Sequence, residues 1–280
     1  MSPTFVLIHG AFANSFSFAP LQAELALHGH RSLAVDLPGH GFKATYSAHY
    51  QAPQDLEQLA AIPSSIAGVT LADNAAHVIE VLERAKAHGP VILVGHSRGG
   101  ITITAAANAR PDLIDRIVYV SAWAPVDLDV GAYHAEPEMA EAASLGDVLV
   151  GNPAELGALR CNFRTADPGA LASFKHAFLA DGTDAEFLTF LNTFQPDENL
   201  DLGGPADRAH ADAWGTIPKT YIRLSEDASC PPAMQDRMIR EGNALTPDNP
   251  YQVHTLTSSH LRWLVHPRPA AELLAALAEA

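Results

Sequence analysis

An α/β architecture with a mostly parallel sheet is what this sequence predicts, on three observations. Short β-branched, apolar runs recur along the chain, and longer segments of helical periodicity separate them. That alternation calls for a sheet covered by helices on both faces. Of the 280 residues, 48% are hydrophobic, which suits one substantial core in one domain carrying an insertion better than two equal domains.

Six strands are expected, at Phe5–Ile8, Ser32–Leu37, Val91–Gly95, Ile117–Ser121, Thr220–Leu224 and Gln252–Leu256. Helices fit between them. The first runs over Phe18–His28. In the second, Leu71, Ala75, Val78 and Leu82 share one face, Thr70 with Asp73 opens it, and Gly89-Pro90 closes it before the next strand. Others are expected over Ser97–Ala109, Pro232–Glu241 and Pro267–Ala278. Residues 122–218, after the fourth strand, show helical periodicity and no good strand, and they read as a helical lid on a core formed by 1–121 and 219–280. Within the lid, Asp167-Pro168 starts a helix carrying Leu171, Phe174 and Phe178 and ending at Gly182. A capping box of Thr183 and Glu186 starts a second, bearing Phe187, Phe190, Leu191 and Phe194.

Charge and cysteine content narrow the possible partners. The net charge of −15 is spread over 32 acidic and 17 basic residues without blocks, which makes nucleic acid and anionic membranes poor partners. Two cysteines, Cys161 and Cys230, form no disulfide framework, so a reducing, cytoplasmic setting is expected. The run Phe5-Val6-Leu7-Ile8 is far shorter than a secretory core, and nothing approaches the roughly 20 apolar residues of a membrane helix. A soluble monomer or homodimer is the expectation.

The chemistry concentrates at strand ends. Gly95-His96-Ser97-Arg98-Gly99 follows an apolar strand and opens an alanine-rich helix, the setting in which a sharp turn presents a serine hydroxyl. Glycines two residues before and after the serine let strand and helix approach. His9-Gly10-Ala11-Phe12 ends the first strand, so the N–H groups of Ala11 and Arg98 are the candidate oxyanion donors. Of the 14 histidines, His260 lies just beyond the last strand, where a general base can reach Ser97; His254 falls inside that strand and His266 starts a helix. Asp227 ends the preceding strand and is the favoured acid to orient the histidine, with Asp127 and Glu226 as alternatives. The lid aromatics Phe187 and Phe190, with Phe12 and Trp123, are candidate pocket residues. No histidine or cysteine spacing fits a metal site and no phosphate loop appears, so no cofactor is expected.

With those residues in place, Phe5-Val-Leu-Ile-His-Gly-Ala11, Asp36-Leu-Pro-Gly-His-Gly41, Val94-Gly-His-Ser-Arg-Gly-Gly100, Tyr221-Ile-Arg-Leu-Ser-Glu-Asp227 and Ser258-Ser-His260 together resemble the α/β-hydrolase superfamily. The branch is that of small esterases, plant methylesterases and hydroxynitrile lyases. The resemblance implies the α/β-hydrolase fold in its compact six-stranded form, with a helical lid after the fourth strand. It also implies a Ser-Asp-His triad cleaving carboxylic esters, and the lid aromatics with the absence of a basic cluster point to small to medium, uncharged, apolar ones. A lyase or lactonase with the same triad, or a receptor with low turnover, is the alternative. Hydroxynitrile lyases carry threonine in place of Gly10 and lysine in place of Leu261, which favours ester hydrolysis. Arg98 after the serine and the long segment from Phe42 to Gly68 depart from the pattern.

Overall fold

The computed structural model describes residues 2–279. Along the chain, β1 (Thr4–Ile8), α1 (Ala19–Leu27), β2 (Arg31–Val35), α2 (Leu56–Ala61), α3 (Leu71–Lys86), β3 (Val91–His96), α4 (Gly99–Ala109) and β4 (Arg116–Val120) come first. An inserted segment follows, with α5 (Val130–Tyr133), α6 (Pro153–Leu156), β5 (Ala158–Arg160), α7 (Pro168–Leu179), α8 (Asp184–Leu191) and β6 (Asp197–Asn199). The chain then returns through β7 (Lys219–Leu224), α9 (Pro232–Leu245), β8 (Gln252–Leu256), α10 (Arg262–Val265) and α11 (Arg268–Glu279).

The main sheet has six strands in the order β2-β1-β3-β4-β7-β8, every neighbouring pair parallel. Alternation along each strand sorts side chains onto two faces. Val6 and Ile8 join Val78, Leu82, Ile103 and Met238 beneath α3, α4 and α9. Phe5 and Leu7 join Leu21, Leu25, Trp263 and Leu274 of α1, α10 and α11, and the same cluster continues into the phenylalanines of the inserted segment. Central strands buried on both faces explain the unbroken apolar runs Phe5–Ile8 in β1 and Val91–Val94 in β3.

Helix caps appear where local chemistry demands them. Thr70 and Asp73 close a reciprocal capping box on α3, and Thr183 and Glu186 do the same on α8. The Asp167 side chain accepts the Ala170 N–H at the start of α7.

Some boundaries differ from the sequence reading. α1 begins at Ala19 behind a 3₁₀ turn at Ser15–Phe18. β2 ends at Val35, before the predicted Leu37, because the Asp36 carboxylate turns out of the ladder to accept the Ser15 and Phe42 N–H groups. α9 continues past Glu241 to Leu245, and at Gly242, where a Cβ would stand 2.5 Å from Tyr251 Cε2, the helix packs on that ring without a side chain. The segment expected to hold no strand contains the antiparallel pair β5 and β6. These strands are three residues each and form by pairing across the segment, which leaves no periodic trace in either one. Among the described residues, no helix is long and apolar enough to cross a membrane.

Candidate active site

Among the described residues, three non-glycine residues have left-handed backbone torsions, Phe12 (φ 58°), Ser97 (φ 53°) and Ser121 (φ 38°). They lie just after β1, β3 and β4, which are neighbours in the sheet. Side chains rarely accept this region, and clustered strain of this kind is held in place only by the structure around it. At Ser97 that surrounding is tight. A Cβ on Gly99 would stand 2.6 Å from the carbonyl oxygens of Ile8 and His9, and one on Gly95 would stand 2.6 Å from Ile103 Cδ1. Ser97 therefore sits outside the helix, which opens at Gly99 rather than at Ser97 as the sequence suggested.

The Trp123 N–H donates to the Ser97 carbonyl at 3.0 Å, and the Ser97 N–H donates to Val120 at 3.4 Å. Those bonds fix the turn from its far side and leave Ser97 half-exposed. Gly10 faces it so closely that a Cβ there would be 2.7 Å from Ser97 Cβ. Neither the Ala11 nor the Arg98 N–H finds an acceptor among the described residues. The first turn of α4 adds positive partial charge beside them.

Asp227 is buried behind this edge, and all its lone-pair directions are used. Oδ2 accepts from His260 Nδ1 and from Ser121 Oγ, each at 2.6 Å. Oδ1 accepts the N–H groups of Ser229 (2.7 Å) and Cys230 (2.9 Å). A carboxylate at Nδ1 keeps the proton there and leaves Nε2 as the basic nitrogen. The other two carboxylates considered, Asp127 and Glu226, are exposed. The His260 carbonyl accepts from His96 Nε2 and Trp263 Nε1, both at 3.1 Å. The His96 and His260 rings are tilted 4.5 Å apart. Burial, and then the neighbouring His260, hold His96 well below the usual histidine range, which keeps it neutral. Ser97 Oγ makes no hydrogen bond to His260 in this structure, a contact that often tightens only with substrate bound.

The inserted segment is tied to these loops. Asp181, beyond α7, accepts the Ser259 N–H at 3.1 Å and the Ser259 hydroxyl proton, and its own carbonyl accepts from Arg262 at 2.7 Å. The Phe178 carbonyl accepts the Leu261 N–H at 2.9 Å, and the Ala177 carbonyl accepts Ser229 Oγ at 2.7 Å. The C-terminal end of α7 thus grips both the histidine loop and the Asp227 loop. Its aromatic face leads onward. Phe163 lies 5.3 Å from Phe12 and 5.0 Å from Phe194, and Phe190 is 5.6 Å from Phe194. Phe12, Phe187 and Phe190 share one core cluster, whereas Trp123 packs in the other, stacked with Tyr133 and beside His134.

One buried group at the site had no signal in the sequence. Glu198, 2% exposed on β6, approaches the elbow, the sharp turn at Ser97 between β3 and α4, and accepts the Phe12 N–H at 2.9 Å. A single glutamate in Pro196-Asp-Glu-Asn199 carries no periodicity or spacing, so only the tertiary structure brings it forward. Burial alone would raise its pKa, but His40 and Arg98 beside it bring it down to about 2. Burial, and then His40, lower His9 to about 4. Among the described residues, no group of three or more His, Cys, Asp or Glu side chains is placed to hold a metal ion. Cys161 and Cys230 are buried and unbridged.

Known proteins share this frame. The model of the alpha/beta hydrolase family matches residues 5–276. Methylesterase 7 of Arabidopsis thaliana is 26% identical over 240 residues, covering 85% of this chain and 83% of that protein. A pyrethroid hydrolase of Sphingobium wenxiniae is 26% identical over 278 residues, covering 98% and 87%. The crystal structure of a pyrethroid hydrolase from Sphingobium faniae superposes with a TM-score of 0.71 at 22% identity over 100% of this chain and 98% of that one.

Proposed function

The chain belongs to the alpha/beta hydrolase family, and from that premise we propose that it is a carboxylic ester hydrolase working through a covalent acyl-enzyme. Ser97 is the nucleophile, His260 the general base and then acid, and Asp227 the carboxylate that orients the imidazole and stabilises it once charged. One observation carries this reading. Ser97 stands on a strained turn between two amide N–H groups, of Ala11 and Arg98, that have no other acceptor among the described residues.

Ser97 Oγ attacks the ester carbonyl carbon as its proton passes to His260 Nε2. The carbonyl π pair becomes an oxyanion between the Ala11 and Arg98 N–H groups. As the tetrahedral intermediate collapses, the C–O bond to the alcohol breaks and His260 gives its proton to the departing alkoxide. Water, deprotonated by His260, then attacks the acyl carbon and returns Ser97 as a hydroxyl. No step needs a cofactor.

Residues 122–218 act in this reading as a cap whose phenylalanines set an apolar limit on the substrate. The Arg98 guanidinium is spent on Asn199 Oδ1 (2.7 Å) and the Asp201 carbonyl (2.6 Å), so it offers no free charge to a substrate carboxylate. Small to medium uncharged esters follow as the substrate class. The buried, unbridged cysteines fit a reducing, cytoplasmic setting.

The test is hydrolysis of p-nitrophenyl esters of increasing acyl length by the wild type and by Ser97→Ala. The expected result is turnover that falls by at least about a thousandfold in the variant, with a length profile that sizes the pocket. Equal rates in the two proteins, or no turnover by a folded wild type, would overturn the reading.

A further inference from the structure

Glu198 touches both halves of the candidate oxyanion hole from a distant part of the chain. Its Oε2 accepts the Phe12 N–H at 2.9 Å, and its Oε1 lies 3.4 Å from Arg98 Nε. Phe12 immediately follows Ala11, and Arg98 immediately follows Ser97. We propose that Glu198 is a positioning residue that sets the spacing between the Ala11 and Arg98 N–H groups, an inference resting on the hydrolase reading given above.

Phe12 is held at both of its backbone polar groups by one stretch of chain. Its N–H donates to Glu198, and its carbonyl accepts the Gln195 N–H at 3.0 Å. Phe12 has the left-handed torsion of 58°, a conformation that persists only where neighbours over-determine it. These two bonds do so, and the one to Glu198 orients the peptide that follows Ala11.

On the elbow side, the Arg98 guanidinium is fixed by Asn199 Oδ1, the Asp201 carbonyl and Glu198 together. The Asn199 N–H and side-chain amide both donate to Glu198 Oε1 at 3.0 Å. The carboxylate itself is therefore rigid. His40 completes the cluster, with Nε2 3.2 Å from Glu198 Oε2 and Nδ1 3.1 Å from the Pro38 carbonyl. Both partners only accept, so the protonated ring, which donates from both nitrogens, is the form that satisfies both. Burial works against that charge, but Glu198 outweighs it and His40 titrates above the usual histidine range.

A buried carboxylate between two cations is costly unless it is fully paired, and as a stabilising device an apolar replacement would serve as well. Retaining it makes physical sense where it fixes geometry. A displacement of about 1 Å at reacting groups can cost about a hundredfold in rate.

The test compares Glu198→Gln and Arg98→Gln, singly and combined, with the wild type. Arg98→Gln cuts the same clamp and keeps the backbone N–H, so it decides the matter alone if Glu198→Gln does not fold. Each variant is expected to lose about 10- to 100-fold in kcat on p-nitrophenyl butyrate with KM within about threefold. Affinity for an alkyl trifluoromethyl ketone, which Ser97 converts into a bound oxyanion, should weaken by the same factor. The double variant should lose no more than about the worse single one, because both cut one unit. Wild-type kcat and ketone affinity in the variants, or a loss confined to KM, would overturn the proposal.

Amide hydrogen exchange across residues 10–14 separates this failure from failure of the hydrolase reading. Faster exchange in Glu198→Gln supports the clamp even if no ester is turned over. Unchanged exchange overturns it whatever the kinetics.

Discussion

Gly10 shows how little room the site leaves at the level of single atoms. Its absent side chain would put a Cβ 2.7 Å from Ser97 Cβ, closer than packed atoms come, and 3.2 Å from Ser97 Oγ. The other partner is a residue pinned on a strained turn, so the strain of any insertion falls on the hydroxyl. Gly10→Ala is expected to leave the protein folded and to lower kcat by about a hundredfold. Steady-state kinetics beside a thermal melt would check it, and a variant as active as the wild type would show that Ser97 can move aside. The residues of this neighbourhood differ in how readable they are. Ser97, His260 and Asp227 stand out because each sits at a strand end in a recognisable motif. Ser121, which donates to Asp227 Oδ2 at 2.6 Å, and Glu198 do not, because their importance comes from partners remote in sequence.

Among the elements, the starts of α7 and α8 were legible because their signals are local, a cap, a proline and an apolar face, whereas their ends were not: α7 stops at Leu179, before Gly182, and α8 at Leu191, which leaves Phe194 outside it. β5 and β6 were not legible. What joins them is a pairing of Arg160 with Asp197, 37 residues apart, through bonds of 2.6 and 2.7 Å. The same guanidinium donates to the carbonyls of Leu59 at 2.6 Å and Ile62 at 2.8 Å, at the end of α2. Arg160 thereby fastens the long segment after β2 to the small sheet. It is 4% exposed, so removing it leaves the Asp197 charge and two carbonyls short of a partner. Arg160→Met is expected to cost about 3–5 kcal/mol, measured by urea unfolding. A cost below about 1 kcal/mol would mean that water replaces the guanidinium there.

At the scale of the whole molecule, the parallel six-stranded sheet was legible because buried strands and amphipathic helices alternate so plainly, and the pairing across the insertion was not, because it depends on contacts far apart in the chain. Buried histidines give the molecule a pH signature. His9, lowered to about 4, and His96, lowered as well, fold neutral, whereas the unfolded chain takes up protons below about 6.5. Their contribution is present above that value and is lost as pH falls towards 4. For His9 it is on the order of 3 kcal/mol. The raised pKa of His40 has the opposite sign, but its contribution is already complete below 6.5 and does not offset the loss. The melting temperature should fall steadily between about pH 6.5 and 4; a flat profile would show that these rings are solvated. The ion cluster around Glu198 has a further consequence for how such a protein can be recombined. Arg98 belongs to the core and Glu198 to the segment between β4 and β7, and each is the other's counter-ion in a buried cluster that also holds His40. A chimaera that takes this segment from a relative lacking the glutamate leaves the Arg98 guanidinium without its counter-ion behind Ser97. The reverse graft inherits a stranded acid. The insertion is therefore not an interchangeable module, and its transfer requires that both ends of the pair travel together.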